Sequence, residues 1–381
     1  MSTTLVLCDH SDSKGMPHTV LSDKTLNINP TAPEQNLKLH VDNITHGILT
    51  DLNPLAHDLL EIAAYTYYAD CSVRRGEDAN VYADRWQRKF DFVIPVSNPA
   101  RWNSPEIKNL LKKTLEFLTG DEFSFTFVQS GPKLGQLYLD LADSLPAFPD
   151  SDCLCLFSGG IDSLVGSLFL LKERNERPLL VSHRSVPIMD TRQRNLIKLL
   201  QERNQEWQFP HLSVWINRMG NRAVEITQRS RSFLYLSIAT AVAFQLRMKK
   251  IYICENGVVS LNLPISGQTV GTLLTRTTQP KFLSLFDQFI KKLLTPNLTV
   301  ENPFIFYTKT QLLEMLNSWN QSELLQATVS CSYTQGRTKM QPQCGTCSQC
   351  IGRRFSVVAA GLETHDRSEY YEKDIFIDSL E

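Results

Sequence analysis

Apolar residues between Asp150 and Glu255 form short runs that alternate with longer segments of helical periodicity. Short runs without polar residues predict strands buried on both faces, and apolar positions three or four apart predict helices. Strands alternating with helices predict an α/β fold with a doubly wound parallel sheet. The predicted order is strand Cys153–Phe157, helix Leu164–Glu173, strand Pro178–Ser182, helix Thr191–Gln205, strand His211–Ile216, helix Arg231–Leu246 and strand Lys250–Cys254.

The residues before Asp150 show a different pattern, in which short apolar runs are interrupted by Asp, Asn, Pro and Gly. This pattern predicts a separate α+β region, and the linker-like composition of Leu145–Asp152 marks its end. We therefore expect an N-terminal α+β domain over 1–149, an α/β domain over 150–325 and a C-terminal segment over 326–381. The N-terminal elements are predicted at Asn53–Asp70 (helix), Phe90–Val96 and Phe123–Val128 (half-buried strands) and Ser104–Leu118 (a helix with Ser104 as N-cap).

Charge and hydropathy narrow the class of protein. The chain has 39 Lys+Arg against 40 Asp+Glu, so no strong global field would steer it onto a polyanion, and a nucleic-acid partner is not expected. No apolar run approaches the roughly 20 residues that span a bilayer, and Met1–His10 lacks the basic region and cleavage site of a signal peptide. We expect a cytoplasmic protein without membrane contact.

A glycine pair follows the first predicted strand of the α/β region, in Phe157–Ser158–Gly159–Gly160–Ile161–Asp162–Ser163. Two glycines let the backbone turn tightly and present its N–H groups to an anion, and the N-terminus of the next helix favours the same charge. Asp162 can cap that helix or hold Mg²⁺. A plain strand-to-helix turn is the alternative, but ligands bind at this end of parallel strands, so we expect a phosphate site.

Ser158–Gly159–Gly160–Ile161–Asp162–Ser163 resembles the SGGxDS motif of the PP-loop ATP pyrophosphatases. The resemblance implies cleavage of ATP between the α- and β-phosphates, with a substrate oxygen receiving AMP and a nitrogen or sulfur nucleophile then displacing it. It implies ATP and Mg²⁺ as ligands. The nucleotide site is expected to contain Phe157, Ser158, Gly159, Gly160, Ile161, Asp162, Ser163, Leu164 and His183.

Four of the nine cysteines, Cys331, Cys344, Cys347 and Cys350, follow the pattern C-x12-C-x2-C-x2-C. Four thiolates suit a closed tetrahedral site, for which Zn²⁺ in a structural role is the expected ion. The alternative is four free cysteines in a loop. A catalytic zinc is not expected, because four protein ligands leave no open position.

The glycine motif together with Cys344–Cys350 and the following Arg353–Arg354 resembles the 7-cyano-7-deazaguanine synthases over Asp150–Leu362. Gln228–Leu234 also resembles that family's arginine-containing helix start, which makes Arg231 a candidate phosphate contact; the alternative is an exposed helix arginine. Asp162, Ser163 and Arg231 are the expected catalytic residues. Glu255 and Asn256 either contact substrate or close a turn, and Arg276 either holds an anion or is an ordinary surface arginine.

The resemblance implies adenylation of the carboxylate of 7-carboxy-7-deazaguanine, followed by attack of an amine. The extra N-terminal region resembles versions of the family associated with bacterial antiviral systems, in which a protein amine replaces ammonia. We therefore expect a 7-deazaguanine, a protein acceptor or defence-system partner and a homodimer as associations. The alternatives are a synthase that makes the nitrile from ammonia, a PP-loop tRNA-modifying enzyme and a non-enzymatic ATP sensor.

Overall fold

The structure is a computed structural model, and it describes residues 3–11, 24–32, 34–48, 50–76, 87–131, 148, 150–184, 187–220, 223–225, 227–262, 275–333, 337–338 and 340–378. The chain forms two compact units, neither of which is continuous in sequence. The expected division into 1–149, 150–325 and 326–381 stays a prediction. Unit 1 consists of Met1–Pro149, Val214–Ile251 and Leu261–Glu301, and unit 2 of Asp150–Ser213, Tyr252–Ser260 and Asn302–Glu381.

The strands, in chain order, are β1 Thr3–Cys8, β2 Lys24–Ile28, β3 Leu37–Leu39, β4 Lys89–Val96, β5 Glu122–Gln129, β6 Cys153–Leu156, β7 Pro178–His183, β8 His211–Val214, β9 Ile216–Arg218, β10 Lys250–Ile253 and β11 Thr299–Glu301. The helices are α1 Val41–Ile48, α2 Pro54–Ser72, α3 Pro99–Trp102, α4 Pro105–Thr119, α5 Ile161–Lys172, α6 Pro187–Arg203, α7 Arg231–Gln245, α8 Gly257–Leu261, α9 Pro280–Leu293, α10 Lys309–Ser318 and α11 Ser348–Ala359. Short 3-10 helices cover Ser322–Ala327, Glu363–His365 and Ser368–Tyr370.

The first sheet has the strand order β2-β1-β4-β5, and all its pairings are parallel. Parallel neighbours require crossover connections, and α3 and α4 supply the one between β4 and β5. This region is therefore α/β, which corrects the expected α+β arrangement. Punctuation by Asp, Asn, Pro and Gly marks the ends of elements but does not say whether successive strands run parallel or antiparallel.

Strand β4 also differs from its predicted half-buried pattern, because every residue from Phe90 to Val96 is buried. It is a central strand with a neighbour on each side. The edge strand β5 shows the alternation that was predicted. Ser104 is the N-cap of α4 as predicted, but its side chain makes no capping hydrogen bond.

The second sheet has the order β11-β10-β6-β7-β8, and β6 pairs with β7 in parallel, with Cys153 opposite Pro178. The chain first moves outward from β6 to β7 and β8, and later returns to the other side of β6 at β10. The gap between β6 and β10 is therefore the point at which the winding reverses. The strands and helices predicted between Asp150 and Glu255 are confirmed, with ends shifted by a few residues.

Helix α5 packs on this sheet through Leu164, Leu168 and Val165, and α10 contributes Leu312 and Leu316 to the same core. These side chains are fully buried. The core fixes where α5 begins, and thus where the loop before it lies. Among the described residues, no helix is long and apolar enough to cross a membrane.

Candidate active site

The turn between β6 and α5 depends on its glycines. Gly159 has φ +84°, a conformation that L side chains rarely adopt, and a Cβ atom there would lie 3.3 Å from Cγ of Gln193. Gly160 is the N-cap of α5. The first N–H groups of α5 have no partners within the helix, and they carry the positive end of its dipole. The turn therefore has the geometry that suits an anion.

Two serine hydroxyls hold this turn in shape. Ser163 Oγ donates to the carbonyl of Gly160 at 3.0 Å and accepts from the N–H of Gly159 at 3.2 Å. Ser158 Oγ donates to Ser163 Oγ at 3.2 Å and accepts from the N–H of Gly160 at 3.3 Å. The serines of the motif thus organise the loop backbone itself.

A hydrogen-bonded chain supports the loop from the neighbouring strands. Ser182 Oγ donates to the carbonyl of Phe157 at 2.5 Å, and Nε2 of His211 lies 2.9 Å from Ser182 Oγ. Because Ser182 has used its proton, Nε2 must be the donor to it. Burial lowers the pKa of His211 to about 4, so the ring is neutral at pH 7. His183, the neighbouring residue at the end of β7, is buried.

Two other segments contact the loop. The side-chain amide of Gln193, from α6, donates to the carbonyl of Ser158 at 3.3 Å. The N–H of Val329 donates to the carbonyl of Gly159 at 3.1 Å. Val329 precedes Cys331 by two residues, so the start of the cysteine segment is joined directly to the glycine turn.

Asp162 connects the two strand ends at the reversal point. Its Oδ2 accepts from the backbone N–H of Asn256 at 3.1 Å and from the Asn256 side chain at 2.6 Å. Its Oδ1 lies 3.3 Å from Nζ of Lys309. The carboxylate therefore points across to the residues that follow β10, and α5 has no side-chain capping bond. Of the two roles considered for Asp162, capping is excluded.

The surroundings shift the pKa values of Asp162 and Glu255 in opposite directions. Burial would raise the pKa of Asp162, but Lys309 and hydrogen bonds from Glu255 and Asn256 lower it overall. Burial and the Asp162 charge raise the pKa of Glu255 well above its usual value. The two shifts run in opposite directions, so Asp162 keeps its negative charge more readily than Glu255, and Lys309 faces that charge.

Lys309, Asn302 and Gln193 were not identified from the sequence. Asn302 Nδ2 donates to the carbonyl of Glu255 at 2.8 Å and fixes the segment after β10. Lys309 follows Thr308, which forms a capping box with Gln311. That box is a sequence signal for a helix start, but nothing local indicates that the adjacent lysine reaches Asp162.

Two of the predicted substrate residues, Glu255 and Asn256, belong to unit 2, as does the glycine turn. Asn256 also closes a turn, because its Oδ1 accepts from the N–H of Val259 at 3.2 Å. Arg231 and Arg276 belong to unit 1. Arg231 is exposed and its Nε donates to the hydroxyl of Tyr235 at 2.5 Å. Arg276 donates to the carbonyl of Phe117 at 2.6 Å, and its guanidinium lies 4.9 Å from the centre of that ring.

The four predicted metal ligands lie together. The Sγ atoms of Cys331, Cys344, Cys347 and Cys350 are all within 4.8 Å of one another, which suits a single ion with four sulfur ligands. The N–H of Cys347 donates to Sγ of Cys344 at 3.3 Å, as in a tight metal knuckle. The cluster can hold a metal, and the ion it takes remains a proposal.

The residues after the cysteines close over this cluster. A Cβ atom at Gly345, which has φ +81°, would lie 1.6 Å from the carbonyl oxygen of Lys373. Arg353 is fully buried and pairs with Asp366 at 2.7 Å, and the hydroxyl of Tyr371 donates to the same carboxylate at 2.5 Å. Arg353, which was noted beside the cysteines, therefore has a structural role.

A second group of ligand-type side chains, His57, Asp58 and Glu61, lies on α2 of unit 1. Asp58 already accepts hydrogen bonds from the backbone and hydroxyl of Ser97 and from Nε1 of Trp102. This carboxylate joins α2 to the end of β4 and to α3. Its bonds explain its burial without an ion.

Part of the chain matches a known family. Residues 223–361 match the sequence model of "Queuosine biosynthesis protein QueC". The matched range contains Asn256 and all four clustered cysteines, and the glycine turn lies outside it. No curated protein matches the sequence significantly. Among solved structures, the U34-tRNA thiolase NcsA from Methanococcus maripaludis with its 4Fe-4S cluster is 13% identical, with a TM-score of 0.31, over 69% of this chain and 76% of that one. A score this low carries no inference about the present chain.

Proposed function

We propose that this protein uses ATP to activate the carboxylate of a 7-deazaguanine, 7-carboxy-7-deazaguanine, as an adenylate, and then joins it to an amine. The proposal rests on Asp162, which belongs to the glycine turn and is bonded to Asn256 across the reversal point of the sheet. In doubly wound sheets this crevice is where ligands bind. The QueC match over residues 223–361 supports a 7-deazaguanine as the second substrate.

The glycine turn suits the phosphates of ATP. The N-terminus of α5 faces them with N–H groups and a positive dipole end, and the bonds of Ser158 and Ser163 fix the turn beforehand. The carboxylate oxygen of the base attacks the α-phosphorus, the bond from that phosphorus to the bridging oxygen breaks, and pyrophosphate leaves. The chain's part is to hold the two reactants in line and to stabilise the leaving charge.

Mg²⁺ fits the acidic group at the reversal point. Oδ1 of Asp162 is buried and has no hydrogen-bond partner among the described residues, although the Lys309 ammonium is 3.3 Å away. A carboxylate oxygen of this kind is a usual protein ligand for Mg²⁺ beside substrate phosphates. Asp162 would hold the ion, with Glu255 nearby. When bound, Mg²⁺ would neutralise phosphate charge.

The cysteine cluster fits Zn²⁺ in a structural role. The four cysteines are at most 9% exposed and their sulfur atoms lie within 4.8 Å of one another, so four sulfurs would complete the coordination. Through Val329 and Gly159 the same segment reaches the glycine turn. Zinc bound there would fix one wall of the active site and take no part in the reaction.

The second half of the reaction needs an amine. Its nitrogen attacks the acyl carbon, AMP leaves, and the nitrogen loses a proton to give an amide. We propose a protein amine as acceptor, within a bacterial anti-phage system. The roughly 150 residues before the nucleotide-binding sheet give a surface for such a partner, which release of a small nitrile would not require.

Base-dependent release of AMP tests the first step. The protein, ATP and Mg²⁺ are incubated with and without 7-carboxy-7-deazaguanine, and AMP, ADP and pyrophosphate are quantified. We expect AMP and pyrophosphate only when the base is present. Production of ADP alone, or AMP release that does not depend on the base, would reject the proposal. Intact mass of a candidate partner protein should then rise by one deazaguanine amide.

The variant Asp162→Asn separates chemistry from folding. It keeps the size of the side chain and an oxygen acceptor for Asn256, but removes the charge next to Lys309. We expect AMP formation to fall by at least about 100-fold, the usual loss when one preorganised electrostatic contact is removed. The circular dichroism spectrum should remain that of the parent, while the melting temperature should fall, because the largely buried Lys309 loses its counter-charge. Undiminished AMP formation would place the metal contact elsewhere.

A free-standing nitrile synthase is the second candidate, because the QueC match covers Asn256 and the four clustered cysteines. It would form the 7-cyano base from ammonia and ATP without a protein partner. Mass spectrometry of the small-molecule products separates the two candidates. A nitrile made at a rate comparable to AMP release would favour the synthase.

A further inference from the structure

Arg192, on α6, is a half-buried cation, and the end of its guanidinium group has no hydrogen-bond partner among the described residues. Its two terminal nitrogens, Nη1 and Nη2, are buried and have no hydrogen-bond partner within the part of the chain that the structure describes. Two buried guanidinium groups elsewhere are paired with carboxylates: Arg353 with Asp366, and Arg88 with Asp70 and Asp121. An exception of this kind in a folded protein calls for a ligand or another explanation.

The position of Arg192 places this exception beside the active site. The next residue, Gln193, donates to the carbonyl of Ser158, and its side chain is the nearest neighbour of the Cβ position at Gly159. Arg192 also lies near the cysteine segment: burial lowers the pKa of Arg192, while the nearby Cys331 raises it. Arg192 therefore lies where α6, the glycine turn and the start of the cysteine segment come together.

Gln193 has an unsatisfied atom of the opposite type. It is buried, with 2% of its surface exposed, and its Oε1 has no partner among the described residues. Because the amide nitrogen donates to a carbonyl, the oxygen assignment is fixed by that contact. Two adjacent residues are therefore unsatisfied in opposite ways. Arg192 has donors that an anion would satisfy, and Gln193 has an acceptor that an N–H or O–H group would satisfy.

This combination discriminates between the two proposed substrates. The triphosphate of ATP offers only acceptor oxygens near neutral pH, which would satisfy Arg192 but not Gln193. A 7-deazaguanine that carries a carboxylate offers both a bidentate anion and several N–H donors. The unsatisfied pair is therefore complementary to the base and only half complementary to the triphosphate, which is the part of ATP that the glycine turn suits.

We propose that Arg192 binds the carboxylate of the heteroaromatic second substrate and that Gln193 accepts a hydrogen bond from an N–H group of the same molecule. This inference rests on the proposed function, because it names the residues that hold the group to be adenylated. Arg192 then orients a carboxylate oxygen towards the glycine turn. It is a binding residue for the substrate and not part of the nucleotide site.

Calorimetric titrations of the full-length, metal-loaded protein test the inference. The probes are 7-carboxy-7-deazaguanine, 7-deazaguanine without the carboxyl group, and Mg·ATP. Arg192→Met should weaken binding of the carboxylated base by about 10- to 100-fold, the usual cost of a lost hydrogen bond to a charged group. Binding of the uncharged base and of Mg·ATP should change less than about twofold. Lys198→Met, which removes an exposed cation from the same helix, is the matched control and should change none of them.

Three results would overturn the inference. Weaker binding of Mg·ATP alone would make Arg192 a phosphate contact. Unchanged affinity for every probe would remove any anion-binding role. A loss of bound metal from Arg192→Met, with base affinity unchanged in the metal-loaded fraction, would mean that the guanidinium only balances the cysteine cluster. A parent protein that binds the base but releases no AMP would reject the proposed reaction and leave this inference standing.

Discussion

The two sheets of this protein both contain parallel strands and both reverse their winding next to their first strand, but the carboxyl ends of their strands differ. In the first sheet the reversal falls between β1 and β4, where Ser11 accepts from the N–H of Cys8 and donates to the carbonyl of Val93. At the end of β4, Ser97 is bound by Asp58. Structural hydrogen bonds thus occupy this edge within the described residues.

The second sheet places an ionised carboxylate, a lysine and a glycine turn at the same topological position. Asp162 and Lys309 lie where the first sheet has Ser11, and a helix begins immediately after the turn. The first sheet instead continues into Asp9 and His10, non-glycine residues with φ +48° and +56°. Topology alone therefore provides a crevice, and the residues after the strand decide whether it can take a phosphate.

Metal removal should give the largest difference between the two sheets in stability and hydrogen exchange. Without metal, the cysteine segment loses its main constraint, and we expect the free energy of unfolding to fall by several kcal/mol, because the binding energy of a structural zinc is folding energy. Hydrogen exchange should rise in residues 340–378 and in the glycine turn, which Val329 joins to that segment. Strands β1 and β4 should keep their protection.

Metal analysis supplies the control for this prediction. Cys350→Ser should lower the metal content, whereas Cys71→Ala, a buried cysteine outside the cluster, should retain it. A chelated sample of full stability, or equal exchange in both sheets, would contradict a structural metal that supports the second sheet alone.

Acid should weaken the support of the glycine turn through His211. Its pKa is about 4 in the folded protein, against 6.5 for a free imidazole, so the unfolded chain binds a proton that the folded one does not. The stabilisation is complete above about pH 6.5 and is lost as the pH falls towards 4, by about 2–3 kcal/mol. The difference in unfolding free energy between the parent and His211→Gln, measured by urea titration across this range, should shrink by that amount. A constant difference would refute the assignment.

Substitutions that change the backbone freedom of the two turns should give the smallest difference in stability between the two sheets. Gly159→Ala puts a side chain at φ +84° against Gln193, and should cost about 1–2 kcal/mol of stability and weaken Mg·ATP binding. In the first sheet, His10→Gly should change stability by less than about 0.5 kcal/mol, because relief of strain is offset by glycine's greater freedom in the unfolded chain. Equal losses in the two variants would show that the turns are not different in kind.

The sequence predicted the second sheet better than the first for a physical reason. Wholly apolar runs such as Cys153–Leu156 mark strands buried on both faces without reference to their partners. Strand β1 was not predicted, since its partners in β4 lie more than 80 residues away in sequence, as Thr3 opposite Lys89 shows, and long-range parallel pairing leaves little local signal. For the same reason the local pattern of β4 predicts only a half-buried strand.

The residues of the candidate site also differ in how far the sequence predicts their roles. Asp162 belongs to a short contiguous motif and the four cysteines to a spaced pattern typical of metal ligands, so their chemistry could be inferred from the sequence. Lys309 and Gln193 reach the glycine turn only through packing of α10 and α6, and the sequence around them predicts no more than helices. Arg276 shows another limit: the sequence leaves an anion contact and an ordinary surface arginine equally open, and the structure adds only that its guanidinium donates to the carbonyl of Phe117.

The packing of the Lys373 backbone against Gly345 limits how far the C-terminus of this protein can be shortened. The family match ends at residue 361, which invites a shortened version that stops after α11. Such a version would lack Lys373, whose carbonyl covers the knuckle, and Asp366, which neutralises the buried Arg353. An expression boundary or a fused reporter therefore belongs beyond residue 378, or else on the opposite terminus.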